Sequence, residues 1–197
     1  VSTDNKVIER SVGSPEEFAA LFDRHAVKVH RYAARPISPQ VADDIVSETF
    51  LVAFDKRTTF DLNVVHALPW LLGIATTLLK QQARREAIAW KGMVAEIAAD
   101  VVPDAIELAG ARMDAERSVK RITTALRRLS PGDRDVVLLY AWGDLDYAGI
   151  ALALDIPVGT VRSRLNRARR LLRSALDIAI DKEIFHGRTD TAPQRSY

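Results

Sequence analysis

The chain has 197 residues, 48% of them hydrophobic, with 28 basic against 26 acidic side chains and a formal net charge of +2. That length holds one large domain or two small ones, and the apolar share is enough to bury a core. The absence of cysteine excludes disulfide scaffolds, thiolate zinc sites and cysteine nucleophiles. No apolar run approaches the ~20 residues of a membrane span, and the N-terminus carries acids where a signal peptide needs an apolar core, so a soluble cytoplasmic protein is expected.

Residues 1–13 are polar and aperiodic and read as a flexible tail. Ser14-Pro15-Glu16-Glu17 then combines an N-cap serine, a proline at the first helical position and a glutamate that can reach back. Phe18, Leu21, Phe22, His25 and Val29 recur at three- to four-residue spacing, which predicts an amphipathic helix to about Ala34. Arg35-Pro36 ends it, and Ser38-Pro39 starts a second helix running to about Lys56. Residues 57–67 keep no period and read as a loop. Pro69 opens a helix to about Trp90, with Trp70, Leu71, Ile74 and Leu78 on its core face.

Residues 91–111 are rich in Ala and Val, contain Gly92, Pro103 and Gly110, and hold no sustained amphipathic face, which predicts a flexible linker. Helical patterning resumes from Met113 to Leu129. Ser130-Pro131-Gly132-Asp133 is a further N-cap signal for a helix ending at Gly143. A short helix from Asp146 to Leu154 and a tight turn lead into a last helix ending near Ile180. No strand pattern stands out. The expected fold is all-α, with two small helical domains at 14–90 and 112–180, a linker at 91–111 and a tail at 181–197.

The last helix carries the chemistry. From Ile156 to Leu176 there are six arginines and no acid, a local basic patch on a near-neutral chain. On a helical wheel Leu165, Ala168 and Leu172 fall within about 40 degrees of Val161, a narrow apolar stripe. Thr160, Arg162, Ser163, Asn166, Arg167, Arg170 and Arg173 fall on the far side. The preceding helix offers Ile150, Ala151 and Leu154 to cover the stripe, and the pair reads as a helix-turn-helix. Arginine forks suit the guanine edge in the major groove, hydroxyls suit bases or phosphates, and further arginines clamp the backbone. A solvated face normally interleaves acids, and this one has none.

"LSPGDRDVVLLYAWGDLDYAGIALALDIPVGTVRSRLNRARRLLRSAL" (Leu129–Leu176) resembles the C-terminal domain of bacterial RNA polymerase sigma factors, above all the extracytoplasmic-function (ECF) group. The resemblance extends to residues 16–90, where Asp43–Phe54 is similar to the polymerase-binding helix and Pro69–Arg85 to the promoter-melting helix. It implies an alternative sigma factor that directs RNA polymerase core to promoter DNA and initiates transcription. In the family the base contacts to the minus-thirty-five element fall on Arg162, Ser163 and Arg167, with Thr160 beside them and Arg170 and Arg173 on phosphate. Asp44, Glu48, Leu51 and Asp55, at i, i+4, i+7 and i+11, are the implied core-polymerase face; the same spacing also suits a helix buried on both sides by its own domain. Thr76, Thr77, Lys80 and Arg84 form a polar stripe suited to the single-stranded minus-ten element, or a solvated face. Thr76-Thr77 stands where the family usually has Arg-Asn, which puts the base preference in doubt. Loop residues Phe60, Asp61 and Asn63 occupy the place that holds a flipped promoter base, unless the loop is a mere connector.

No two of His25, His30, His66 and His186 stand at metal-ligand spacing, and no glycine loop suits a phosphate, so neither metal, cofactor, small-molecule substrate nor catalytic site is expected. Asp155 replaces the glycine relatives often carry in the helix-turn-helix turn, and Asp tolerates the left-handed conformation. The chain ends without a sensory domain, so control by an anti-sigma factor is expected rather than direct membrane insertion. The competing reading is a dimeric helix-turn-helix regulator that binds DNA without polymerase; the N-terminal helices discriminate against it.

Overall fold

The computed structural model describes residues 2–34, 39–97, 125–126 and 128–186; within α-helices the side chains described are those of 4–34, 41–85, 125–126 and 128–174. The order is α1 (Asp4–Ser11), a 3₁₀ turn (Pro15–Phe18), α2 (Ala19–Ala33), α3 (Pro39–Lys56), a second 3₁₀ turn (Arg57–Thr59), α4 (Leu68–Ile97), α5 (Pro131–Trp142), α6 (Tyr147–Leu154) and α7 (Val158–His186). The fold is all-α, with no strand among the described residues. Among them, no helix is long and apolar enough to cross a membrane.

Two compact units divide the chain, Val1–Val102 with Asp135–Val161, and Pro103–Arg134 with Arg162–Tyr197. In the first, α2, α3 and α4 pack around Leu21, Val29, Ile45, Phe50, Leu71 and Ala75, all buried. Phe18 and Phe54 meet edge-on at 5.3 Å, as do Phe22 and Phe50 at 4.9 Å. Tyr32, fully buried, shares a 2.7 Å hydrogen bond with the Thr76 hydroxyl. Burial pushes its phenol well above the ordinary range, so the ring stays neutral.

The expected N-terminal tail is instead α1. Val7 and Ile8 are fully buried and Asp4 nearly so, because an i, i+3, i+4 set of Asp4, Val7, Ile8 and Ser11 lies on one face. The short, charged helix hides that face from a hydropathy reading. Ser14 makes no side-chain cap, and Glu17 pairs with Arg10 at 3.0 Å instead, so Pro15–Phe18 forms a 3₁₀ turn and α2 starts at Ala19. Helix α4 runs seven residues past Trp90, absorbing Gly92, so 91–97 is helical; the rest of the expected linker, 98–111, lies outside the described residues. So does most of the helix expected from Met113. Helix α7 continues six residues beyond Ile180, into the expected tail.

The first unit also brings α6 onto α4. A Cβ on Gly73 would sit 2.3 Å from the Ala153 carbonyl oxygen, so only glycine permits this approach. Asp146 caps α6 by accepting from the Gly149 N–H at 2.7 Å. Asp155 then takes φ 51, ψ 53, the left-handed conformation, and the chain turns into α7.

That dihedral yields a direct check. Asp155→Val should lower stability by about 1–2 kcal/mol, since a β-branched residue resists left-handed backbone, whereas Asp155→Gly should match or exceed the wild type. Thermal melting of both variants reads it; equal melting temperatures for Val and Gly would mean that the turn does not hold this geometry.

Candidate nucleic-acid interface

Helix α7 sorts its side chains as the wheel requires. Val161, Leu165 and Ala168 are buried, while Arg162, Ser163, Asn166, Arg167, Arg170 and Arg173 are exposed. Thr160 and Arg164 are half-buried. Arg162 and Ser163 sit in the first turns, the end of a recognition helix that meets base edges. Arg170 and Arg173 lie two to three turns on, at positions suited to phosphate.

Arg167 has a partner that the wheel does not show. Its guanidinium forks onto the buried Asp133 carboxylate, Nε donating to Oδ2 at 2.7 Å and a terminal nitrogen to Oδ1. That pairing uses two of the guanidinium's five N–H donors and leaves the side chain 51% exposed, so its two terminal nitrogens still present an end-on pair that suits a guanine edge. Asp133 is itself fixed at the start of α5, its N–H donating to Ser130 Oγ at 3.2 Å, and Arg164 lies over the adjacent Gly132. The wheel reads only α7 and cannot see an acid 34 positions away; the lone acid in the α5 N-cap signal was the one available clue.

On α4 the expected minus-ten stripe is divided. Thr77 and Arg84 are exposed. Thr76 is buried, its hydroxyl donating to Leu72 O at 2.7 Å besides meeting Tyr32, so it offers nothing to DNA. Lys80 is part-exposed and pairs with Asp135 of α5. In the loop, Phe60 is buried and packs on Trp70 with centroids 5.0 Å apart, which removes it as a stacking platform. Asp61 and Asn63 are exposed and rigidly paired: Asp61 Oδ1 accepts from the Asn63 N–H at 3.0 Å and from its side-chain amide at 2.9 Å. On α3, Asp44, Glu48, Leu51 and Asp55 all face outward, Leu51 with 61% of its surface exposed, while Ile45, Val46, Thr49, Phe50 and Ala53 face the core. The alternative of a helix buried on both sides does not hold.

The Arg167 fork, more than burial can oppose, holds the Asp133 carboxyl below its ordinary 3.8. Because the folded value is depressed, its contribution to stability is complete above that ordinary value and is lost as pH falls through the folded one. Acid titration followed by circular dichroism should therefore show wild-type stability declining below about pH 4. Asp133→Asn should be less stable at pH 7 and decline less steeply in that window. Parallel acid limbs for the two proteins would exclude a structural role for the pair.

Comparison with known proteins covers both the α2–α4 and the α5–α7 segments. Residues 21–88 match the family model for Sigma-70 region 2 and residues 120–172 that for Sigma-70, region 4. The chain is 29% identical over 173 residues to the ECF RNA polymerase sigma factor SigW of Bacillus subtilis, covering 83% of this chain and 91% of that one. It is 25% identical over 182 residues to the ECF RNA polymerase sigma factor SigK of Mycobacterium tuberculosis H37Rv, covering 91% and 97%. In fold it is similar to CnrH, solved with the cytosolic domain of CnrY, at a TM-score of 0.62, 24% identity and coverage of 89% and 97%. It is also similar to the sigma factor RpoE of Bartonella quintana, solved with the anti-sigma factor NepR, at a TM-score of 0.56, 22% identity and coverage of 83% and 98%. With region 2 and region 4 both present, in that order, and full-length ECF relatives aligned across them, the chain belongs to the ECF family of RNA polymerase sigma factors.

Proposed function

We propose that this chain is an alternative sigma factor: a dissociable, non-catalytic subunit that brings RNA polymerase core to specific promoters in the cytoplasm and is restrained by an anti-sigma factor. The observation that carries the reading is the exposed, acid-free arginine face at the start of α7, on a chain that also presents an acidic stripe on α3. Arg162, Ser163 and Arg167 read the minus-thirty-five element, Arg170 and Arg173 hold its phosphates, and Asp133 braces the Arg167 fork from one side. Asp44, Glu48, Leu51 and Asp55 meet the core enzyme. Asp61 and Asn63 hold a flipped minus-ten base beside Thr77 and Arg84. The motifs divide the chain functionally at 14–90 and 112–180, around a connecting segment at 91–111 whose first seven residues continue α4. Restraint by an anti-sigma factor is argued from the likeness to CnrH and the Bartonella RpoE, each solved with its partner.

Two measurements test the assignment. Charge reversal at Asp44 and Glu48 should weaken core association at least about tenfold while helical content stays constant, since exposed charges matter little to folding but like-charge contacts oppose docking. Unchanged affinity would remove this face from the core interface.

Promoter binding by reconstituted holoenzyme separates the arginines. Arg162→Ala should cost about 1–3 kcal/mol and relax discrimination at individual base pairs of the minus-thirty-five element. Arg173→Ala should lower affinity evenly across sequences and reduce the salt slope by about one. If Arg162→Ala leaves base preference intact, α7 grips only the backbone.

A further inference from the structure

Helix α1 precedes the region 2 match, which begins at residue 21, yet it is fastened to the loop 57–67 at three points. At the loop's start, Arg57 Nε donates to Ser11 O at 3.2 Å, while its Nη1 donates to Phe54 O at 2.6 Å. In the middle, Asn5 Nδ2 donates to Leu62 O at 2.9 Å. At the end, the Ala67 N–H donates to Asp4 Oδ2 at 3.0 Å. The helix cannot slide, because Val7 and Ile8 are fully buried and Asp4 is pinned by Arg24 at 3.0 Å and His25 at 2.8 Å.

Between these ties lie the exposed Asp61 and Asn63, whose mutual bonds orient their edges but do not anchor them to α4. The anchor is α1. A loop that selects a base by hydrogen bonds needs its groups held to within about 0.5 Å, and ordering that loop beforehand removes an entropic cost from binding.

We propose that α1 is a positioning element for the promoter-reading loop, with Asn5 and Asp4 as positioning residues that set base selectivity at the minus-ten element. This rests on the reading of Asp61 and Asn63 given above. Asn5 supplies the separable tie. Its Oδ1 accepts from the Lys6 N–H at 2.9 Å and from Thr3 Oγ1, whereas its amide alone reaches Leu62. Asn5→Asp keeps the shape and the acceptor, deletes the donor, and sets a carboxylate against the Leu62 carbonyl. Asn5→Gln keeps an amide donor on a longer arm.

The experiment uses holoenzyme reconstituted from core polymerase and the full chain, with open-complex formation measured on single-base panels of the minus-ten and minus-thirty-five elements. Asn5→Asp should change the relative preference among minus-ten bases about threefold to tenfold, the worth of one net hydrogen bond. The minus-thirty-five profile and core affinity should stay unchanged, and Asn5→Gln should restore part of the preference. Asp4→Asn should move the preference the same way with a lower melting temperature. A uniform loss across all minus-ten bases, or an equal shift at both elements, would make α1 a mere stabiliser and overturn the proposal. Asn63→Ala and Asp61→Ala, run in parallel, separate the two readings. If they shift the minus-ten profile and Asn5→Asp does not, the positioning role falls; if they leave it flat, the loop reading itself falls.

Discussion

Asp4 is a carboxylate taken almost wholly out of water, and it persists there as an anion because donors converge on it from three directions. Burial alone would raise its pKa, but the Ala67 N–H, Arg24 and His25 together bring it below the ordinary value. One side chain thereby joins α1 to α2 and to the residue preceding α4. A buried charge so arranged is intolerant of losing any partner, since an unpaired ion in that environment costs several kcal/mol. The geometry of the loop 57–67, and with it the surface next to α4, depends on this convergence.

The arginines of α7 show why a basic face is not a uniform one. All carry the same charge, and the sequence places Arg162 and Arg167 on the same outer side. Both are exposed, yet Arg167 alone is braced by a buried acid of α5. The distinction is electrostatic and geometric: a planar fork and a carboxylate satisfy each other bidentately, and the pair then locks α7 to the α5 N-terminus. Exposed charge and charge that sets the register of one helix against another thus occur on the same face, and no count of basic residues separates them.

A similar division applies to α4. Thr76 and Thr77 are chain neighbours about 100 degrees apart on the helix, and one turn of that size separates a hydroxyl buried against Tyr32 from one facing water. The position Thr76 occupies is therefore structural in this chain, and of the polar stripe on α4 it is Thr77, Lys80 and Arg84 that remain exposed. The glycine at 73 extends the same logic to backbone, permitting α6 an approach that any Cβ would block.

Periodicity, caps and the arginine run were enough to determine that the described chain is all-α, where α2 to α7 lie to within five to seven residues at their ends, and which side of α7 faces outward. These are properties of one helix at a time, set by the 3.6-residue repeat and by local turn chemistry such as the tolerance of Asp155 for left-handed backbone. What only the tertiary structure decided involves partners far apart in sequence: α1 against the loop, Phe60 against Trp70, Thr76 against Tyr32 and Arg167 against Asp133. Helix α1 escaped notice because a buried face that includes Asp4 and Ser11 scores as polar until its hydrogen-bond partners are known. A side chain's exposure and pairing are set by whatever the rest of the chain places opposite it, and that is a property of the fold, not of any single segment.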